Sequence, residues 1–287
     1  LKTTFWITLT LTATLLFSVA APIHAATSTP TATTLSQPAS YYRTHATSLA
    51  QTYQLNYGAQ TALTQNGKTK VYVASTDARL KKSAKLAMTY WNQRLGRQVF
   101  TTGTKGNHQL TITFTNRNST ADAWWQPANR RILLERADYT QAPSQIKAKM
   151  INQSSATAIN AANQKIIKYN RSIANRANHA ALYNHYRQQQ INTINASVTK
   201  ATNTINKNQL AYKARTFKYA NIIAHELGHS LGLNHSDTAT DGMAANSHVN
   251  TIYNYTKVKA SANGFNPLTK ADTSRAKLAL KVFAARH

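Results

Sequence analysis

Cysteine is absent from all 287 residues, so the chain can hold no disulfide, thiol nucleophile, cysteine-bound zinc or lipid-modified cysteine anchor. Acidic residues are scarce: 8 Asp and Glu stand against 34 Lys and Arg, a formal net charge of +26. Glu135 and Glu226 are the only two glutamates, and nothing acidic lies between Tyr139 and His225. Such a surface adheres to polyanions. The basic residues are spread along the chain rather than gathered in a groove interleaved with aromatics, which argues against specific nucleic-acid recognition. Anionic cell-wall polymers are the better-fitting partner class.

Long apolar runs are missing beyond the first residues. Phe5 to Ala21 is apolar apart from threonines and Ser18, with Lys2 before it and Pro22 after it. Small residues follow, so residues 1–25 read as a signal peptide cleaved after Ala25 or Ala26. An uncleaved anchor is the alternative, disfavoured because the run is short and rich in threonine. The expectation is a secreted, extracellular protein with no transmembrane segment after signal cleavage, held near the cell wall by charge.

Glycine and proline are missing from Ser144 to Leu227. Ile159, Ile166, Ile173 and Ala180 recur every seven residues there, as do Ile191, Val198 and Ile205. This pattern predicts two long helices in an antiparallel hairpin, turning near Asn175 to Asn184. Elsewhere, Lys70–Ala74 and Leu110–Phe114 read as strands, and Arg131–Leu134 as a further strand. Asp77 reads as the N-cap of a helix over Ala78–Leu95 that ends at Gly96. The pair Trp124-Trp125 beside Pro127 reads as loop aromatics packed on the core. Residues 26–67 form a Ser/Thr/Pro-rich linker and N-terminal segment, and 68–287 the main folded domain with a helical insertion at about 141–215.

Chemistry concentrates in His225-Glu226-Leu227-Gly228-His229-Ser230-Leu231-Gly232-Leu233-Asn234-His235. On a helix spanning Tyr219 to Leu231, His225 and His229 leave the same face one turn apart. Gly232 lets the helix stop and the chain turn, because glycine tolerates the left-handed conformation. His235 then returns as a third ligand. Three neutral imidazoles leave one zinc ion an open coordination position, the arrangement of a catalytic site. Glu226, beside the first ligand, is placed to take a proton from water and pass it to a leaving amine. The reaction needing these parts is amide hydrolysis. A non-enzymatic basic protein that binds the cell envelope is the competing reading. His248 reads as a surface residue, while Asp237 and Asp241 are candidates to hydrogen-bond the ligand loop.

The motif HELGHSLGLNH resembles the extended zinc motif of the metzincin metalloproteases. Ser236 directly after the third histidine, and Met243 eight residues after His235, are similar to the matrixin branch. The resemblance implies a Met-turn, with Met243 as an apolar floor under the ligands. It also implies an α/β (α+β) fold: a twisted mixed sheet with an antiparallel edge strand, an active-site helix and a C-terminal helix starting near Pro267–Asp272. Protein or peptide substrate is then bound against the edge strand by strand addition. Arg131–Leu134 is the expected edge, and Asn246–Tyr255 the expected wall of the specificity pocket. Ala244-Ala245 stand where the family carries proline, and thiol-based latency is impossible without cysteine. Structural calcium is not expected, because Asp77, Asp122, Glu135, Asp138, Asp237, Asp241 and Asp272 are sparse for such sites.

Overall fold

The computed structural model describes residues 28–117, 120–246 and 249–287. The signal segment at 1–25 and His248 lie outside the described residues. Among those described, no helix is long and apolar enough to cross a membrane.

Residues 28–67, read above as linker and N-terminal segment, carry three short helices: α1 (Ala32–Leu35), α2 (Ala39–Thr44) and α3 (Ala46–Tyr53). Tyr42, Leu49, Leu55, Ala59 and Ala62 are buried in the main core. The polar composition of this stretch hides its structural role, because a few apolar residues at helical spacing suffice to anchor it.

β1 (Thr69–Val73) leads into α4 (Ala78–Leu95), then β2 (Phe100–Thr102), β3 (Leu110–Thr115), β4 (Ala123–Gln126) and β5 (Arg131–Glu135). The strands form one five-stranded sheet in the order β2-β1-β3-β5-β4, parallel except for antiparallel β4. This corrects the expected edge. Arg131–Leu134 lies inside the sheet, parallel to β3, and the antiparallel edge is the strand carrying Trp124 and Trp125. The reason is visible in burial: Ile132, Leu133 and Leu134 are all buried, as a strand covered on both faces requires. All four residues of β4 are only half-buried.

α4 has the bounds its sequence signals gave. Asp77 Oδ1 accepts hydrogen bonds from Arg79 N at 2.7 Å and Leu80 N at 3.1 Å. Trp91, fully buried, donates its indole N–H to Ala224 O at 2.7 Å. That bond ties α4 to the helix carrying the histidines.

The insertion is a hairpin of α5 (Arg136–Ser172) and α6 (His179–Lys207), 37 and 29 residues long. At 1.5 Å per residue these span about 55 and 44 Å. Tyr139, Ala142, Pro143, Ile146 and Met150 bury the root of α5, while beyond Met150 only Ala162 is buried in that helix. The turn spans residues 173–178, earlier than expected. The heptad is followed in part: Ile173 and Ile205 are buried and Ile166, Ile191 and Val198 half-buried, while Ile159 is 37% exposed and Ala162 and Ala201, outside the heptad, are buried. Tyr169 and Tyr186 stack across the pair at 4.1 Å.

α7 (Leu210–Ser230) follows, then α8 (Tyr255–Ala260) and the C-terminal α9 (Lys270–Arg286). Thr269 and Asp272 form a reciprocal capping box at the start of α9.

Asp77 also accepts from Tyr139 Oη at 2.9 Å and lies 3.6 Å from Arg215, so it joins α4, α5 and α7. Desolvation raises its pKa, but these hydrogen bonds and the guanidinium outweigh it and hold the carboxyl below its ordinary value. Asp77→Ala should therefore lower stability by about 1–3 kcal/mol in urea unfolding at pH 7. Because the folded-state pKa is depressed, the contribution is complete above the unfolded pKa near ~4 and fades as pH falls below it. The gap between parent and variant should narrow in acid; a constant gap would count against the charge as its source.

Candidate metal centre and cleft

α7 brings His225, Glu226 and His229 to one side of the sheet, near edge strand β4. Its other face buries Phe217, Tyr219, Ile223 and Leu227. The helix is released after Ser230 through Gly232, whose φ of 91° is accessible to glycine at little cost. Gly232 N donates to His229 O at 2.9 Å and Leu233 N to Gly228 O at 3.1 Å, closing the helix end. His235 then faces the other two rings, with centroids 5.2 Å from His225 and 4.9 Å from His229. The three histidines each offer a ligand nitrogen, all within 4.8 Å of one another.

Hydrogen bonding fixes two of the tautomers. His225 Nδ1 lies 2.9 Å from Gly242 O, and His229 Nδ1 lies 2.7 Å from Leu233 O. A carbonyl only accepts, so each Nδ1 must carry the proton and each Nε2 presents a lone pair. Those two Nε2 atoms are 3.1 Å apart. Two facing acceptors repel unless a cation sits between them. Ligand nitrogens about 2.05 Å from one zinc at tetrahedral angles would be separated by about 3.3 Å, so this pair is spaced as two ligands of one such ion would be. Burial lowers the pKa of all three rings, that of His229 to about 3 with further lowering by His225. The imidazoles are neutral, as metal ligands must be.

Met243 is fully buried and packs against Gly228, within the same helix as His225 and His229. Gly228 has no side chain because there is no room for one: an added Cβ would collide with Met243 Sδ and lie 3.0 Å from Trp91. The Met243 turn is held from below by Asp272, also fully buried. Asp272 accepts from Gly242 N at 2.8 Å and Met243 N at 3.2 Å. Ser236 N donates to Met243 O at 2.8 Å, and Ser236 Oγ donates to Asp241 at 2.7 Å. Thr269 Oγ1 donates to the other oxygen of Asp241 at 2.8 Å. A chain of bonds thus runs from α9 through the turn to His225, whose Nδ1 partner is Gly242.

The His235 loop has a separate support that sequence reasoning missed. Asn56 N donates to Gly232 O at 2.8 Å and Asn234 N to Gln54 O at 2.9 Å. Arg275, fully buried, donates to Tyr53 O, Gln54 O and Asn234 O. Gln54 also donates to Asp237. Asp237 and Asp241 therefore both brace the ligand loop, but Asp272 and Arg275 do more of that work. The Thr269-x-x-Asp272 pattern carried a local signal, as a capping box. Arg275 carried none.

Glu226 is 6% exposed. Burial pushes its carboxyl up to about 7, partly opposed by a backbone hydrogen bond from Trp125 of β4. A nearby dication would favour the charged form again. The cleft, about 720 Å³, is bounded by β4 on one side and by Asn246, Val249, Ile252 and Tyr253 on the other. The expected wall segment is therefore at the cleft as far as its described residues go. Lys218 and Asp122 pair at 3.0 Å along the lining.

A mixed sheet with one antiparallel edge, a helix carrying two histidines and a third from the following loop define a metallopeptidase architecture. The family model for matrixin matches residues 60–261. The chain belongs to the matrixin family, whose members are zinc-dependent peptidases acting on protein or peptide substrates. No curated protein and no solved structure matches the chain.

Gly228→Ala should force Met243 or Trp91 to move, costing about 1–3 kcal/mol in urea unfolding. Zinc affinity should fall with it in a competitive chelator titration. Unchanged affinity would show that the packing of Met243 against Gly228 does not position the ligands.

Proposed function

We propose that this chain is a secreted zinc endopeptidase in which His225, His229 and His235 hold one Zn²⁺ and Glu226 is the general base. The observation that carries the reading is the pair of Nε2 lone pairs 3.1 Å apart, with both Nδ1 protons already committed to carbonyls. When bound, zinc supplies a Lewis acid that polarises a carbonyl and lowers the pKa of water to about 7.

The chain's own residues do the rest. An extended peptide pairs with the outer edge of β4, since among the described residues only β5 pairs with that strand, along its inner edge. This sets the scissile carbonyl beside Glu226, because Trp125 of the same strand hydrogen-bonds that carboxylate. Glu226 accepts a proton from the attacking water and delivers it to the departing amine nitrogen. Its burial keeps bulk water from competing for that proton. A side chain following the cleaved bond enters the recess between Ile222 and the wall at Val249, Ile252 and Tyr253.

Export rests on the apolar run in residues 1–25. Attachment to anionic cell-wall polymers rests on the net charge of +26.

Glu226→Ala should retain one zinc per chain and lose about 10²–10⁴-fold in kcat/KM on a peptide mixture. A chelator should abolish cleavage by the parent, and zinc should restore it. Cleavage that survives both treatments would reject the mechanism and favour a non-enzymatic envelope-binding role.

A further inference from the structure

The root of the helical hairpin carries a second recess of about 530 Å³, whose lining shares no residue with the histidine cleft. Three arginines reach it from three helices: Arg79 from α4, Arg136 from the start of α5 and Arg215 from α7. Each guanidinium lies over an aromatic ring. Arg79 is 5.0 Å from the Tyr212 centroid, Arg136 is 4.7 Å from Phe114, and Arg215 is 3.9 Å from Tyr139.

Neutral acceptors fix their rotation further. Arg79 donates to Gln209 Oε1 at 2.7 Å, Arg136 to Asn116 Oδ1 at 3.2 Å, and Arg215 to Tyr139 O at 3.3 Å. The lining contains one carboxylate, Asp77, which is already occupied by two backbone N–H groups and the Tyr139 hydroxyl. Asp77 lies 3.6 Å from Arg215, while no carboxylate among the described residues pairs with Arg79 or Arg136. Arg215 is 7% exposed, and its Nε has no hydrogen-bond partner.

Three cations and one anion leave the recess with a surplus of two positive charges. Stacking holds the guanidinium faces and leaves N–H edges for a ligand, so little side-chain freedom remains to be lost on binding. Guanidinium forks match tetrahedral oxyanions with several acceptor oxygens. The surrounding chain adds to the field: residues 139–225 contain no acidic residue.

We propose that this recess binds a phosphate-type oxyanion, free or as the phosphodiester of an anionic polymer lying along the hairpin. The proposal stands independently of the peptidase reading, because neither the residues nor the charge belong to the histidine cleft.

Its test uses the full zinc-loaded chain, with inorganic phosphate and a poly(glycerol phosphate) oligomer titrated at constant ionic strength. Thermal shift and calorimetry provide the readouts. Phosphate should stabilise the parent saturably, and the exposed pair Arg79→Gln with Arg136→Gln should raise the half-saturating concentration at least tenfold. Lys165→Gln with Lys168→Gln, farther out on α5, should leave phosphate binding unchanged. Phosphate bound at zinc would be unaffected by the arginine pair, so that comparison isolates the recess. A polymer that binds more tightly per phosphate than the free ion, and loses this with the arginine pair, marks the polymer as the natural source. Equal binding per phosphate marks the free ion. No saturable effect, or the same effect in parent and arginine variant, overturns the proposal. Far-UV circular dichroism of the variants should match the parent.

Discussion

The orientation of two imidazole rings is the constraint on which the rest depends. Gly242 O and Leu233 O each take an Nδ1 proton, and this leaves the Nε2 lone pairs of His225 and His229 facing one another. In a buried pocket that arrangement is costly unless a cation compensates it. Both carbonyls are in turn held by structure beyond α7. Gly242 belongs to the turn bound by Asp272, while the loop after Leu233 is bound by Arg275 and by the backbone of residues 54–56. The C-terminal helix and the N-terminal segment, at opposite ends of the sequence, therefore converge on the ligand set.

The same frame explains how a chain without disulfides positions a site so closely. Buried carboxylate and guanidinium groups replace covalent links, each bonded to several backbone partners. Asp272 receives three backbone N–H groups, and Arg275 donates to three carbonyls. Charged hydrogen bonds of this kind are stronger than neutral ones and fix direction as well as distance. Scarcity of acidic residues is thus a property of the surface. Within the core, Asp241 and Asp272 are buried where turns require them.

Much of this was legible in sequence because the signals were local. The i, i+4 histidines, the glycine that ends their helix, the Asp77 cap and the strands β1 and β3 each sit within a few residues of their structural cause. The edge strand was not legible. Four half-buried residues with two tryptophans make too short a pattern, and the continuous apolar run Ile132-Leu133-Leu134 drew attention to the wrong strand. The hairpin was visible from the absence of glycine and proline, and the spaced isoleucines mark buried positions at Ile173 and Ile205, whereas the buried Ala162 and Ala201 carry no signal in so alanine-rich a stretch. The supports from Arg275 and Gln54 span more than 30 residues and carry no periodicity.

Zinc held by the histidine triad is what the proposed peptide hydrolysis requires. Equilibrium dialysis of the purified chain against buffered zinc, with metal content and peptide cleavage followed on the same samples, measures this directly. One zinc per chain, with activity rising in proportion to occupancy and both lost in His229→Ala, is the predicted result. Full cleavage by metal-free protein, or undiminished one-to-one zinc binding by His229→Ala, would contradict it.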